Sequence, residues 1–167
     1  MAISKEVSKP DALFTFDALY LYTSLPFYMK IELHRADDAF HFISSNQDGL
    51  TIESDGSLAI GGGNKAMRPM EMVLSAIASC SSIDVVMILK KQRQQLEDIK
   101  VTVEGKRAEG QVPAVFTDIH IHFKLTGKIA ESKGQRAVQL SMEEYCSVSK
   151  MLEKSVNITY SVEIIQT

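Results

Sequence analysis

One long apolar stretch, residues 68–93, constrains the fold of this chain more than any other part of its sequence. Pro69 stands where a helix can begin, because the first turn of a helix does not need its backbone N–H groups. Lys90 and Lys91 bring positive charge to the other end, which suits the carboxyl terminus of a helix. Between these ends the residues are apolar almost all the way round, which predicts burial on most sides. We therefore expect a central helix, roughly 34 Å long, against which the other elements pack.

The composition limits the function classes. Of the 167 residues, 45% are hydrophobic and 23% are charged, and the net charge is −3. These values are typical of one globular domain and give no reason to expect a nucleic-acid partner. The apolar N-terminal stretch is interrupted by Asp17 and Pro26, which favours an extension packed on a domain or partner over a membrane span or targeting segment. We predict an N-terminal extension at 1–28, a single domain at 29–167 and a cytoplasmic protein with no membrane partner.

The rest of the chain alternates strands, turns and helices. Residues 30–63 show the spacing of short strands, with a hairpin turn at 36–39. After the central helix the pattern predicts two strands, two helices and a last strand, at residues 99–106, 115–125, 128–139, 140–152 and 157–165. Ser141, with Glu144 three residues later, has the pattern of a helix capping box. This order of elements predicts an α+β fold, and the short loop after residue 106 predicts an antiparallel strand pair.

Strict alternation along residues 115–125 separates the two sides of one strand. Ile119 and Ile121 would face the core, whereas His120 and His122 would face the other way. Two histidines at this spacing could ligate a metal, but no third ligand lies nearby in the sequence. We therefore interpret this side as a solvated strand face.

Cys80 and Cys146 are the only two cysteines, too few for a disulfide framework. They could be two buried thiols that act as small hydrophobic side chains. Alternatively they form a redox pair, in which one thiolate is oxidised to a sulfenic acid and the other condenses with it to a disulfide. The sequence alone does not bring the two sulfurs together.

The central helix does not contain an obvious group that would activate Cys80. This cysteine lies eleven residues after Pro69, too deep for the helix terminus to lower its pKa much. Asp84 shares its face, and a bare carboxylate there would raise the thiol pKa; the alternative is a buried carboxylate bonded to a serine or a backbone amide. Glu71 lies roughly 13–14 Å away along the helix axis and half a turn out of phase. It could act only on Cys80 of a partner subunit, or else as a carboxylate favoured by the helix dipole.

Two motifs together resemble those of the OsmC/Ohr family, the osmotically inducible protein C and organic hydroperoxide resistance proteins. The first is PMEMVLSA at residues 69–76, followed by Cys80, and the second is EYCSVS at residues 144–149. The resemblance extends from about Met29 to Ile165 and is strongest to the OsmC-like branch.

This resemblance implies an OsmC/Ohr-like α+β fold, with antiparallel sheets around long central cysteine-bearing helices in an intertwined homodimer. It implies active sites at the subunit interface, with Cys80 as the peroxidatic and Cys146 as the resolving cysteine. A glutamate and an arginine also belong to the family site, and Glu71 and Arg35 are our candidates. In the hydroperoxide resistance proteins the glutamate directly follows the proline, whereas Met70 stands there in this chain.

The function implied by the resemblance is thiol-dependent reduction of organic hydroperoxides by an external dithiol reductant, without a cofactor or a metal. An alternative is a dimeric thiol redox sensor or small-ligand-binding protein of the same fold with little catalysis. A third interpretation is a metal site formed by Cys80, Cys146 and a histidine.

Overall fold

The computed structural model describes residues 28–167, which belong to two compact units that divide after Ala66. The first unit contains an antiparallel three-stranded sheet in the order β1-β2-β3 and a short 3-10 turn, at Ile31–Arg35, Phe42–Asn46, Thr51–Ser54 and Leu58–Ile60. The predicted extension at 1–28 lies outside the described residues except for Tyr28. The boundary of a single domain at 29–167 stays a prediction.

The turn between β1 and β2 is held by one aspartate, as the polar residues at 36–39 predicted. The Oδ1 atom of Asp37 accepts hydrogen bonds from the backbone N–H groups of Ala39 and His41, at 2.8 and 3.3 Å. Its Oδ2 atom is 2.8 Å from Lys65 Nζ. The lysine and the backbone donors lower the pKa of Asp37 to about 2, because they favour the charged carboxylate.

The second unit packs helices on one side of a mixed sheet with the order β4-β5-β6. Its elements are α1, β4, β5, α2, α3 and β6, at Pro69–Lys91, Gln95–Arg107, Phe116–Lys128, Glu131–Leu140, Ser147–Leu152 and Asn157–Ile165. A π-helical turn at Ser141–Tyr145 connects α2 to α3. The predicted α+β class is therefore confirmed, and α1 has the predicted bounds.

The expected antiparallel pairing does not extend to the last strand. β4 and β5 are antiparallel, but β6 runs parallel to β5, with Ile121 opposite Tyr160. The physical reason is the connection, because parallel neighbours need a crossover long enough to return the chain to the same end of the sheet. Here α2 and α3 provide that crossover.

The predicted Ser141 capping box is also wrong. Residues 141–145 form the π-helical turn, and α3 begins later with Cys146 as its N-cap. The Ser141 hydroxyl is buried and bonds to groups on α1, so it does not cap a helix of its own. Cys146 accordingly lies at the start of a helix and not within one.

The core is formed by the inward side of β5 and the facing sides of α1 and α2. Ile121 and Phe123 of β5, Ile77 of α1 and Val138 of α2 are all fully buried. On the other side of β5, His120 bonds to hydroxyl groups of β6. The predicted division of this strand into a core side and a polar side is confirmed.

Helix α1 is less buried within one chain than its composition predicted. Ile77, Ser81 and Val85 are fully buried, but Ile83 is 61% exposed and Val86 is 40% exposed. Among the helices of residues 28–167, α1 has the length and apolar composition needed to cross a bilayer, a test that core helices of soluble proteins also pass. In its most apolar 18-residue window, 28% is buried. The prediction of burial on most sides is therefore wrong for the single chain, and the absence of a membrane partner stays a prediction.

The core assignment predicts unequal costs for the same substitution at two leucines. Leu125 is fully buried, whereas Leu58 is 73% exposed. Leu125→Ala should lower the free energy of unfolding by about 2–5 kcal/mol, because it removes buried methyl groups and leaves a cavity. Leu58→Ala should change it by about 0.5 kcal/mol or less. Urea denaturation at one protein concentration measures both, and equal costs would contradict the core described here.

Candidate functional site

Two sulfurs and a carboxylate from distant parts of the sequence meet in the second unit. The Sγ atoms of Cys80 and Cys146 and a carboxylate oxygen of Asp84 all lie within 4.8 Å of one another. Both cysteines are free thiols, with Cys80 partly accessible and Cys146 fully buried. The structure therefore brings the two predicted cysteines together, which the sequence alone did not do.

Helix α1 provides two of the three groups. Cys80 and Asp84 are four residues apart, so they project from the same side of the helix, one turn after the other. Ser81 directly follows Cys80 in the sequence and is fully buried. Its hydroxyl donates a hydrogen bond to the carbonyl oxygen of Ile77 at 2.7 Å. This bond satisfies a polar side chain that would otherwise be costly to bury against the sheet.

Cys146 enters the site because it is the N-cap of α3. Its backbone is extended, with φ −66° and ψ 104°, and its Sγ atom accepts a hydrogen bond from the N–H group of Ser149 at 3.4 Å. The Ser149 hydroxyl donates to the carbonyl oxygen of Met142 at 3.1 Å, which connects α3 to the preceding π-helical turn. The thiol thus takes the position that the oxygen of a serine or aspartate usually holds at a helix start.

Ser141 joins the two parts of the site. Its hydroxyl lies 3.1 Å from the carbonyl oxygen of Ser81 and 3.3 Å from Oδ2 of Asp84, and it can donate its proton to either. One alternative for Asp84, a carboxylate bonded to a serine, is therefore confirmed.

Burial and mutual repulsion oppose ionisation of the grouped side chains. Burial, with smaller contributions from Cys80 and Asp84, raises the pKa of the Cys146 thiol to about 12 against the opposing effect of the Ser149 N–H group. Burial also raises the pKa of Asp84, and the hydrogen bond from Ser141 opposes this effect. Cys146 is therefore a neutral thiol at neutral pH, held close to the second sulfur.

Glu71 lies at the amino-terminal end of α1 and bonds within that helix. Its Oε2 atom accepts a hydrogen bond from the backbone N–H of Arg68 at 2.8 Å, and its Oε1 atom accepts one from Arg68 Nε at 3.0 Å. These contacts lower the pKa of the Glu71 carboxyl group. The helix-start role that the sequence allowed is confirmed, and a role toward the Cys80 of a partner subunit stays a prediction.

Arg35 is the last residue of β1, in the first unit, and pairs with Phe42 of β2. It therefore lies directly before the hairpin turn at 36–39. Its proposed role in activating the Cys80 thiol stays a prediction.

The sequence did not identify the two serines that organise the site. Ser141 was assigned to a helix cap, and Ser149 was not singled out. The spacing Cys146-Ser147-Val148-Ser149 contains a usable signal, because the backbone N–H three residues after an N-cap is its usual partner. A buried bond between Ser141 and another helix has no comparable local signal.

Comparisons with known proteins agree on one family. A family model described as OsmC-like protein matches residues 62–161. Protein YhfA of Escherichia coli strain K12 is 46% identical to this chain over 125 residues, which cover 74% of the chain and 90% of YhfA.

Two solved structures are similar in fold. A hypothetical protein from Aquifex aeolicus VF5 has a TM-score of 0.73 and 37% identity, and covers 84% of this chain and 98% of its own. An organic hydroperoxide resistance protein OsmC from Legionella pneumophila has a TM-score of 0.64 over 82% of this chain and 97% of its own, but at 19% identity it shows the fold alone. On the family model and the identity to YhfA together, this chain belongs to the OsmC-like protein family.

Proposed function

We propose that this protein is a thiol-dependent peroxidase that reduces organic hydroperoxides through Cys80 and Cys146. The observation that carries the proposal is the approach of the two sulfurs to within 4.8 Å of each other. The similar Legionella pneumophila structure is that of an organic hydroperoxide resistance protein, which supports this choice of substrate. Ile77, three residues before Cys80, and Met142, four residues before Cys146, are buried apolar side chains, and apolar surroundings suit an alkyl hydroperoxide better than hydrogen peroxide.

The reaction begins at Cys80, because its side chain is partly accessible and that of Cys146 is fully buried. The Cys80 thiolate attacks the outer oxygen of the hydroperoxide and the O–O bond breaks. The alkoxide takes up a proton and leaves as an alcohol, and Cys80 becomes a sulfenic acid. The peroxide is thereby reduced by two electrons and the sulfur is oxidised by two.

Cys146 then resolves the sulfenic acid. Its sulfur attacks Cys80 Sγ, and the hydroxide leaves with the thiol proton as water, so that a disulfide forms. Sulfurs within 4.8 Å need side-chain rotation and a small backbone adjustment to reach the S–S bond length of about 2.05 Å. An external dithiol restores both thiols by exchange. Two free cysteines suit the reducing cytoplasm, which is the compartment we propose.

We further propose that two chains associate through α1. Ile83 and Val86 form an exposed apolar side of this helix, and apolar area of this kind stabilises a dimer when it is removed from water. In this dimer the partner subunit brings Glu71 and Arg35 to the Cys80 sulfur, where the guanidinium group of the arginine stabilises the thiolate during attack.

The peroxidase proposal predicts a specific dependence on each cysteine. With cumene hydroperoxide and excess dithiol, Cys80→Ser should reduce turnover by at least about 10³-fold, because the attacking sulfur is lost. Cys146→Ser should still reduce one equivalent of peroxide but should then accumulate the Cys80 sulfenic acid, which dimedone traps. Consumption of peroxide and the mass of the trapped adduct are the two measurements.

Double replacement of His120 and His122 by alanine is the matched control, since these residues lie on the other side of β5 and should leave turnover unchanged. Turnover that persists in Cys80→Ser would rule out the proposal. A wild type that forms the disulfide but does not turn over would favour the redox-sensor alternative.

The burial of the two thiols predicts an order of alkylation. In the reduced native protein, iodoacetamide should modify Cys80 at least about tenfold faster than Cys146, because only accessible thiolate reacts and Cys146 has neither accessibility nor a low pKa. Timed quenching and peptide mass analysis measure both rates, and denatured protein provides the control in which the rates converge. Equal rates in the native state would contradict the assignment of Cys80 as first nucleophile.

The association proposal predicts that charge on the exposed side of α1 separates the subunits. Ile83→Lys should shift the protein from dimer to monomer, because a buried unpaired ammonium group is costly in an apolar interface. Gln135→Lys, on the exposed side of α2, is the matched control and should remain dimeric. Light scattering during size-exclusion chromatography gives the mass, and a monomeric wild type would refute the proposal.

A further inference from the structure

The three groups that meet at the redox site are all good metal ligands. A tetrahedral zinc ion with Zn–S distances of about 2.3 Å and Zn–O of about 2.0–2.2 Å places its ligand atoms about 3.5–3.8 Å apart. The two sulfurs and the carboxylate oxygen already lie within 4.8 Å of one another. Side-chain rotations that move these ligand atoms about 1 Å closer together would gather Cys80, Asp84 and Cys146 around one ion.

Hydrogen bonds from neighbouring residues already orient two of these ligands. The Ser149 N–H group donates to Cys146 Sγ at 3.4 Å, and the Ser141 hydroxyl lies 3.3 Å from Asp84 Oδ2. Partners of this kind fix the direction of ligand lone pairs in metal sites, and their loss typically weakens metal binding by about 10–100-fold. The cluster thus has supporting contacts as well as three ligands.

Charge balance favours a divalent cation at this place. Two thiolates and a carboxylate would together carry three negative charges in a partly buried site, which is unfavourable without positive charge nearby. A divalent cation supplies that charge, and its sulfur ligands match the preference of zinc for thiolates.

We infer that the reduced site binds one zinc-type divalent cation through Cys80, Asp84 and Cys146, with a fourth coordination position left open. Binding breaks two S–H bonds, forms two metal–sulfur bonds and releases up to two protons to solvent, so no electron is transferred. The ion occupies both sulfurs, and therefore metal binding and disulfide formation exclude each other. This inference does not depend on the proposed peroxidase activity.

The third ligand is an aspartate, whereas the sequence suggested a histidine. Among residues 28–167, Cys80, Asp84 and Cys146 form the one group of three ligand-type side chains at metal-binding spacing. His120 and His122 instead lie on the polar side of β5, where they bond to hydroxyl groups of β6. These two histidines could bind a metal ion at the surface, so the experiment must distinguish zinc bound there from zinc bound by the cysteines.

The test is a titration of the reduced, chelator-washed, full-length protein with Zn²⁺ in competition with a chromophoric chelator. We expect one zinc ion per chain, and with Co²⁺ a thiolate-to-cobalt charge-transfer absorption. Asp84→Asn and Cys80→Ser should each weaken binding at least about tenfold, and Ser141→Ala should weaken it about tenfold. Circular dichroism and the thermal midpoint verify that each variant is folded.

Two matched controls complete the experiment. The double variant His120→Ala, His122→Ala should bind zinc like the wild type, and diamide-oxidised wild type should not bind, since its sulfurs are joined. The inference is overturned if the reduced wild type does not compete for zinc, if oxidised protein binds as tightly, or if only the histidine variant loses binding. Because no peroxide is used, a failure of the peroxidase proposal leaves this result unaffected.

Discussion

The contact between Ser141 and Ser81 sets the geometry on which the whole site depends. Both residues are fully buried, and the Ser141 hydroxyl is 3.1 Å from the Ser81 carbonyl oxygen. Side chains as small as serine let the π-helical turn approach the backbone of α1 closely. If the Ser141 hydroxyl lost this acceptor while it stayed buried, the protein would still bear the free-energy cost of removing that hydroxyl from water. This cost opposes movement of the π-helical turn away from α1. Cys80 lies directly before Ser81, and Cys146 directly follows the turn, so this contact joins the two segments that carry the sulfurs.

The same packing gives the two thiols different properties. Cys146 belongs to the crossover between β5 and β6 and is pressed against the core, so burial dominates its pKa. Cys80 lies nearer the exposed side of α1, where a second molecule or a substrate can reach it. The proposed division into an attacking and a resolving sulfur therefore rests on the different burial of the two cysteines, and not on the chemistry of the residue type.

The sequence predicted those features that depend on local pattern. Pro69, the terminal lysines and the apolar run were sufficient for α1, and alternation was sufficient for the core side of β5. The direction of β6 and the start of α3 were predicted wrongly, because both depend on how a long connection packs. The apolar residues around Cys146 have helical spacing, which predicts a helix that contains this cysteine. The helix begins only after Cys146, because the Ser141 hydroxyl bonds to α1 and does not cap a helix at residue 141. Contacts between residues 60 positions apart, such as Ser141 and Ser81, leave no periodic signal.

The remaining question is which positive charge balances this acidic cluster. Burial raises the pKa values of Cys146 and Asp84, so within one chain Cys146 is a poor source of thiolate. A guanidinium group from another segment or subunit would stabilise a Cys80 thiolate while leaving the sulfur lone pairs free to attack a peroxide. A divalent metal ion would stabilise the thiolates more strongly but would occupy those lone pairs. The two cations would therefore compete for the same thiolates with opposite consequences for reactivity, and each of the two proposed chemistries requires both sulfurs to be reduced.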